Sequence, residues 1–335
     1  MDANIYLAKS IIDGYRNHQF KRIYPFATEN VAGCFSGYDF KDKDCLTVLG
    51  SSVQALYMYL MGAKKVTTFD INPLTIYYLH FQKAFFLSKM KFKDYKNMFH
   101  AFSFEDTKDT YNLDKYYKKI SECLDGKYKV FWDTLYDEYG SYLFNTNGLF
   151  NPIECSCGSI DKYMGIYSSS NIRKLRSSIE YFEPEFINCN ITELHKYLCQ
   201  GYDFMYFSNI MQYSKSVFNS CDLKESLYKY KDLLISFKDL LNRGGSIYGS
   251  YIYGIDLLAI PNMDAFCLAS IEHIFEHDLI EYKSFNAFKI NFSAFIEGAS
   301  KDGVLVYSKQ ISWQNSIFLR EYIRGEWICY LKKFL

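Results

Sequence analysis

The sequence lacks the features that mark membrane, secreted and disulfide-rich proteins. It contains no run of 18 apolar residues, and its first residues lack a basic-then-apolar signal pattern. Its ten cysteines form no C-x-x-C pair, and the closest two, Cys155 and Cys157, are spaced poorly for a zinc site. Several of the others lie in apolar runs, as reduced core thiols do. The sequence therefore predicts a cytoplasmic protein without a transmembrane segment.

An excess of charge of either sign is also lacking. Lys plus Arg and Asp plus Glu number 38 each, so no net field attracts a polyanion, and we expect no nucleic-acid partner. A small-molecule or lipid-like acceptor stays open, as does the oligomeric state. With 335 residues, 49% of them hydrophobic, the chain is long enough to bury a large core.

Short apolar runs alternate with helical patterns from Cys45 onward. CLTVLG (45–50) and KKVTTFD (64–70) predict buried strands, and the helical pattern between them completes a βαβ unit. Further strands are expected at 184–191, 202–210 and 246–253. A helix is expected at 192–199, after the first of them, and another at 226–242, ended by Arg243-Gly244-Gly245. This order predicts an α/β, Rossmann-like, mostly parallel sheet.

The rest of the chain differs from this pattern in two places. Residues 1–44 predict an N-terminal helical or lid segment before a Rossmann-like domain at 45–335. Within that domain, residues 91–180 lack strand signals and predict a mostly helical insertion. Near the end, 287–298 and 303–310 have the pattern of a closing pair of strands.

The strongest candidate site joins a strand-to-helix turn to an acid at the end of the next strand. The turn is Gly50-Ser51-Ser52, where small residues let backbone N–H groups approach a ligand. Twenty residues after the glycine, Asp70 begins Asp70-Ile71-Asn72 and is placed to accept both ribose hydroxyls of a nucleoside. The alternative is an ordinary α/β turn with a helix-capping Asp, since the loop has only one glycine of a dinucleotide-binding fingerprint.

A second polar group follows the predicted strand at 202–210. Ser208 and Asn209 lie where open α/β sheets bind ligands, and an Asn there can meet both the ammonium and the carboxylate of an amino acid. The alternative is an Asn that merely ends a strand in a turn.

The segment before the first strand has the composition of a lid. Tyr24 and Phe26 precede Thr28-Glu29-Asn30, so two aromatic bodies could cover a nucleoside while Glu29 faces a cationic ligand. The alternative, which the sequence supports equally, is a helix N-terminus with Glu29 in its first turn.

His273, Glu276 and His277 spell H-x-x-E-H, the pattern of a zinc-peptidase helix. No third ligand is recognisable elsewhere, so we expect two surface histidines and no metal.

Three segments resemble one family. VLGSSVQALYMYLMGAKKVTTFDINP (48–73), KVFWD (129–133) and YDFMYFSNIMQY (202–213) are similar to the S-adenosylmethionine:diacylglycerol 3-amino-3-carboxypropyltransferase-like family, whose members have a class I methyltransferase-type fold. The resemblance runs from about residue 24 to 250 and is loosest between 94 and 155. It implies S-adenosylmethionine (SAM) as co-substrate. It does not carry the diacylglycerol substrate over, because no membrane-binding helix is recognisable in this chain.

The resemblance also extends the site. It implies adenine at Asn190 and Ile191, although Asn190 departs from the Asp that such folds often carry for the adenine amino group. The cofactor-binding candidates are thus Gly50, Ser51, Ser52, Asp70, Ile71, Asn72, Asn190, Ile191, Ser208 and Asn209. No motif fixes the catalytic residues, for which Glu29, Asn209 and Tyr213 are the candidates, and the sequence does not identify a general base.

The predicted function is a SAM-dependent transferase. The resemblance favours transfer of the 3-amino-3-carboxypropyl group to an unidentified acceptor. Methyl transfer from the same co-substrate is one alternative, and a non-catalytic nucleotide-binding or assembly protein on the same fold is another.

Overall fold

The chain folds around one mixed β-sheet. The computed structural model describes residues 2–14, 22–27, 31–35, 38–100, 110–145, 148–151, 164–199, 201–208, 210–220, 223–251, 285–291 and 327–333. The strands are β1 Asp44–Val48, β2 Lys65–Asp70, β3 Glu185–Asn188, β4 Tyr202–Tyr206, β5 Leu241–Tyr251, β6 Phe285–Asn291 and β7 Trp327–Lys333. Their order across the sheet is β3-β2-β1-β4-β5-β7-β6.

The direction of the strands identifies the fold. Strands β1 to β5 pair in parallel, whereas β7 is antiparallel to both β5 and β6. An all-parallel order of 3-2-1-4-5-6 is that of the dinucleotide-binding fold. Here an antiparallel strand is inserted between the fifth and the sixth, as in class I methyltransferases. The chain has the α/β Rossmann-like fold of the class I methyltransferase type, which confirms the predicted fold class.

Helices connect the strands and cover the sheet. They are α1 Ala3–Ile12, α2 Val31–Cys34, α3 Val53–Leu60, α4 Leu74–Leu87, α5 Phe92–His100, α6 Thr110–Ser121, α7 Gly126–Tyr139, α8 Ser169–Ser178, α9 Ser214–Val217 and α10 Leu223–Ser236. Local signals set several ends. Asp2 accepts from the Asn4 N–H at the start of α1. Gly62, with φ +92°, follows the end of α3.

Side chains of the central strands alternate between two cores. In β4, Phe204 and Tyr206 join a core that includes α1 and the helices from α3 to α8. Met205 lies in a second core with Tyr230 and Leu234 of α10. Since successive residues of a strand point to opposite faces, apolar residues at every position produce a sheet covered on both sides. The carboxyl ends of the strands are left as the edge open to a ligand.

Most described residues of 91–180 lie in helices, Phe150 forms a β-bridge with Ile23, and the whole stretch lies in the connection from β2 to β3. Helices α5 to α8 bring aromatic rings against α4 and the segment before α2. The ring centroid of Phe26 lies 5.7 Å from that of Phe99 and 5.7 Å from that of Tyr167. Trp132 belongs to the KVFWD segment (129–133), and its indole N–H donates to the Tyr77 carbonyl of α4 at 3.0 Å. The second segment of the resemblance therefore packs the insertion against α4.

Three details differ from the sequence-based expectations. A helix expected after β3 is only a 3₁₀ turn, Leu194–Lys196, because successive backbone bonds span three residues rather than four. Strand β5 begins at Leu241 and includes the Gly244-Gly245 pair expected to end a helix; its register shifts opposite Tyr202. Strand β6 pairs with Trp327–Lys333, which the pattern missed, and the expected partner at 303–310 lies outside the described residues.

Candidate functional site

A cavity of about 300 Å³ opens where β1, β2, β3 and β4 end. This volume lies at the lower end of the range for small-molecule sites, roughly 300–1,000 Å³. The residues after the four strands form one side. The opposite side comes from residues 22–27 and from the chain between β4 and α10. Nine described candidates line it: Gly50, Ser51, Asp70, Ile71, Asn72, Asn190, Ile191, Ser208 and Tyr213.

The turn after β1 is shaped by its backbone. Gly50 has φ +47°, and a Cβ there would meet no heavy atom within 4 Å, so the conformation rather than crowding favours glycine. Ser52 also adopts a left-handed conformation, with φ +65°, which costs a non-glycine residue about 1 kcal/mol or more. Ser51 lines the cavity, whereas Ser52 is fully buried behind it. Ser52 therefore shapes the turn without meeting a ligand.

Asp70 joins the ends of β1 and β2. One carboxylate oxygen accepts from the Gly50 N–H at 2.8 Å, and the other accepts from the Asn72 N–H at 2.9 Å. Burial raises the pKa of Asp70 to about 6, although these N–H groups favour the ionised form. The Thr75 hydroxyl and the Ile71 N–H also lower the pKa of this carboxyl, so a ligand hydroxyl would share the carboxylate with donors of the turn.

The two residues after Asp70 serve different purposes. Ile71 is 40% exposed and presents an apolar surface beside the carboxylate. Asn72 caps α4, since its Oδ1 accepts from the Leu74 N–H at 3.0 Å. Pro73 precedes the helix, as the sequence predicts. The capping alternative therefore describes Asn72, while Asp70 binds the glycine turn.

The loop after β3 brings Cys189, Asn190 and Ile191 to the cavity. The Asn190 Oδ1 accepts from the Thr192 N–H at 3.2 Å, which fixes the orientation of the amide. Burial raises the pKa of the Cys189 thiol to about 11, so it stays neutral near pH 7.

The far end of the cavity joins two distant parts of the chain. The Tyr24 and Tyr213 hydroxyls lie 3.4 Å apart across it. Ser208, after β4, has a left-handed φ of +51°, and such conformations cluster at functional sites. Phe26 also lines the cavity, but its ring is buried among the aromatic rings of the insertion, so it anchors this segment. The other predicted residues of this end, Asn209 and Glu29, lie outside the described residues.

Sequence patterns missed a buried amide behind the glycine turn. Gln82 of α4 donates through Nε2 to the Ser51 carbonyl at 3.0 Å and to the Tyr167 hydroxyl at 3.4 Å. It ties the turn to the helical insertion. The side-chain oxygens of Ser51, Ser52 and Gln82 have no hydrogen-bond partner in the described part of the chain. A polar residue inside a helical pattern gives no local sign of this role.

Arg22 was also missed. Among the described residues that line the cavity, Arg22 and Asp70 are the charged ones, so a cation and a carboxylate border the same space. The described residues include no group of three His, Cys, Asp or Glu suited to a metal. The H-x-x-E-H segment lies outside them. No helix within the described ranges is both long and apolar enough to cross a bilayer.

Comparisons with known proteins return similarity of structure only. No family model matches the sequence, and no curated protein sequence matches it significantly. An rRNA methylase from Streptococcus thermophilus aligns with 9% identity over 91% of this chain and 95% of its own, with a TM-score of 0.35. An O-methyltransferase from Bacillus cereus, in complex with SAH (S-adenosylhomocysteine), aligns at 8% identity over 99% and 92%, with a TM-score of 0.32.

A third solved structure is the plantazolicin methyltransferase BamL in complex with a triazolic desmethylPZN analog and SAH. It aligns at 9% identity over 98% of this chain and 84% of its own, with a TM-score of 0.38. Because all three TM-scores are below 0.5, nothing about this chain is inferred from these likenesses. The fold assignment rests on the order and direction of the strands.

Proposed function

We propose that the cavity binds S-adenosylmethionine and that the chain is a SAM-dependent transferase, with methyl transfer as its reaction. The observation that carries the proposal is the joint placement of Gly50 and Asp70. A left-handed glycine and a buried carboxylate, joined by a 2.8 Å hydrogen bond, border a cavity at the carboxyl edge of a class I methyltransferase-type sheet. On such an edge the acid after β2 is positioned for the ribose hydroxyls of a nucleoside.

The strand order suggests how the ligand lies. Neighbouring strands are about 4.8 Å apart, so β3, β2, β1 and β4 offer four successive positions along the edge. We assign the ribose to Asp70 after β2 and the base to Asn190 and Ile191 after β3. The amino-acid end then extends past the β1 turn toward Ser208.

The residues present suit a nucleoside thioether better than a dinucleotide. The turn after β1 reads G-S-S-V-Q-A and lacks the second and third glycines that let a pyrophosphate approach the backbone. Ser51 lines the cavity, and Ile71 offers an apolar surface for a base. At the far end, Arg22 and Ser208 line the space assigned to a carboxylate and an ammonium.

SAM supplies an electrophilic carbon on a sulfonium, which is a good leaving group. The protein's part is then to orient the co-substrate and to exclude water. Asp70, Asn190 and the β1 turn hold the nucleoside, while Tyr24 and Tyr213 border the space where an acceptor would approach. Glu29, Asn209 and Tyr213 remain the candidate catalytic residues.

The family that the three segments resemble has the same fold, so the fold alone does not choose between methyl transfer and aminocarboxypropyl transfer. Aminocarboxypropyl transfer rests on the resemblance of three sequence segments, and no described residue of the site favours it. The acceptor class, whether a small molecule or a lipid-like compound, is likewise left to experiment, as is the predicted absence of a nucleic-acid partner.

Product analysis tests the proposal. The full chain is incubated with SAM and a fractionated cell extract, and the products are identified by mass spectrometry. Methyl transfer releases SAH, whereas aminocarboxypropyl transfer releases methylthioadenosine. Asp70→Ala serves as the matched control, since it removes the ribose acceptor.

The outcomes separate the alternatives. SAH formed only by the wild type supports methyl transfer, and methylthioadenosine in its place would replace that reaction with the aminocarboxypropyl one. Binding of SAH measured by calorimetry, without turnover in any fraction, would favour the non-catalytic nucleotide-binding protein. Absence of both binding and turnover would reject the assignment of the cavity.

A further inference from the structure

The loop after β3 presents an unusual balance of hydrogen-bonding groups to the cavity. Asn190 lines the cavity, and its Oδ1 already accepts from the Thr192 N–H at 3.2 Å. Because a backbone N–H must face an oxygen, this bond fixes which end of the amide is which. The NH₂ group of Asn190 is therefore the part of the side chain left to meet a ligand.

The backbone of Asn190 and Ile191 shows the same pattern of engaged acceptors and an available donor. The Asn190 carbonyl accepts from the Glu193 N–H at 2.9 Å, and the Ile191 carbonyl accepts from the Leu194 N–H at 3.2 Å. By contrast, the Ile191 N–H donates to no described residue. The three acceptors of Asn190 and Ile191 are thus engaged in the turns of the loop, while the Asn190 NH₂ and the Ile191 N–H remain as donors.

The charged side chains near the loop do not supply an acceptor for the base. Glu193 pairs with Lys196 at 3.1 Å and is half-exposed away from the cavity. The carboxylate that does line the cavity, Asp70, follows the neighbouring strand and is assigned to the ribose. No acidic side chain of the described loop is therefore directed at a base.

A purine meets such a loop with the edge that carries positions 1 and 6. Adenine offers an acceptor at N1 and an amino donor at position 6. A 6-oxopurine offers the reverse, an acceptor at O6 and an N1–H donor. Two protein donors satisfy one acceptor in either base, whereas an acidic side chain would favour the 6-amino group and reject the 6-oxo group.

We infer that the base subsite reads a purine through the donors of Asn190 and Ile191, and therefore accepts 6-oxopurine as well as 6-aminopurine nucleoside thioethers. Asn190 is the residue that sets this tolerance. The inference rests on the proposed function, since it uses the same site and the same orientation of the nucleoside.

Two ligands that differ only at position 6 test it. Calorimetry on the full chain compares SAH with S-inosylhomocysteine, its deaminated form. For the wild type we expect dissociation constants within about tenfold of each other. Asn190→Asp keeps an oxygen for the Thr192 N–H and turns an acceptor toward the base, so we expect its preference for SAH to rise at least tenfold. A charge control is Asn97→Asp on α5, which does not line the cavity.

Each outcome has one meaning. A wild-type preference for SAH of more than tenfold overturns the inference and leaves the proposed function standing. So does an unchanged preference in Asn190→Asp, or an equal rise in Asn97→Asp. If Asn190→Asp is unfolded by circular dichroism, Asn190→Ser replaces it, and loss of S-inosylhomocysteine binding relative to SAH in that variant is then the outcome expected from removing the amide donor. Failure of the wild type to bind SAH at all overturns the proposed function and the inference with it.

Discussion

The two ends of the cavity are built in different ways. The nucleoside end, formed by Gly50, Asp70, Ile71 and Asn190, lies at strand ends and is held by short backbone hydrogen bonds. The end proposed for the acceptor, called the acceptor end, is formed by Tyr24 and Tyr213 and joins segments nearly two hundred residues apart through a 3.4 Å contact of two hydroxyls. A tightly bonded end suits the part of a ligand that stays the same. The looser end suits chemistry that differs from one acceptor to another.

Removing the carboxylate of the nucleoside end should have the largest effect. Asp70→Ala takes away the acceptor of two ribose hydroxyls, two charge-assisted hydrogen bonds worth roughly 2–4 kcal/mol together. We expect SAH binding to weaken about 30- to 1,000-fold by calorimetry, with the fold retained by circular dichroism. Unchanged binding would mean that Asp70 does not contact the ligand, and the contrast between the two ends of the cavity would no longer hold.

The pKa of Asp70 predicts a pH dependence for the same end. Burial raises it from 3.8 to about 6, so in the free protein the native state holds a proton that the unfolded state has lost between about pH 4 and pH 6. The free energy of unfolding should therefore fall as pH rises through this window, by roughly 3 kcal/mol for a shift of about two pKa units.

Ligand binding should respond in the opposite direction. Ribose hydroxyls donate to the ionised carboxylate, so SAH should bind more weakly as pH falls below about 6, by up to about tenfold per pH unit. Calorimetry at pH 5 and pH 7.5 measures the effect. Asp70→Asn should bind weakly and equally at both values, and a wild type that does the same would contradict the role of the carboxylate.

Substituting Gln82, which supports the glycine turn at the nucleoside end, should weaken ligand binding less than removing the Asp70 carboxylate does. Gln82→Met leaves the Ser51 carbonyl without its donor, and we expect SAH binding to weaken about three- to tenfold, roughly 1 kcal/mol. The control is Lys83→Met, one position along α4, where Nζ donates to the Phe182 carbonyl at 2.6 Å, away from the cavity. Both variants should lower the melting temperature, but only the first should affect binding. Equal effects on binding would reduce Gln82 to a packing role.

Tyr213→Phe should have the smallest effect on binding. It removes one hydroxyl of the Tyr24–Tyr213 contact at the acceptor end. We expect SAH to bind within about twofold of the wild type, while turnover falls more than binding does. If SAH binding instead fell tenfold, the two ends of the cavity would not be separate in function, and Tyr213 would belong to the co-substrate site.

The sequence predicted the nucleoside end because its residues are local. A strand, a glycine turn and an acid twenty residues later lie within one βαβ unit, so period and spacing were enough to find Gly50 and Asp70. The same reasoning could not separate Ser51 from Ser52. Which of the two serines lines the cavity depends on the left-handed backbone of the turn.

Arg22 and Gln82 were missed for a different reason. Arg22 precedes the first strand by more than twenty residues, and Gln82 lies in the middle of a helix. Neither has a pattern around it that marks a site. The closing strand β7 was missed as well, since only its pairing with β5 and β6 places it in the sheet.

The sequence by itself determined the parallel α/β core, the helical character of the insertion and the pair Gly50–Asp70. These follow from hydrophobic period and turn chemistry, which act over a few residues. The tertiary structure decided which distant side chains share the cavity and which end of the Asn190 amide faces it. Those features depend on strand order and on hydrogen bonds between segments far apart in the chain. Local sequence patterns predict neither of these.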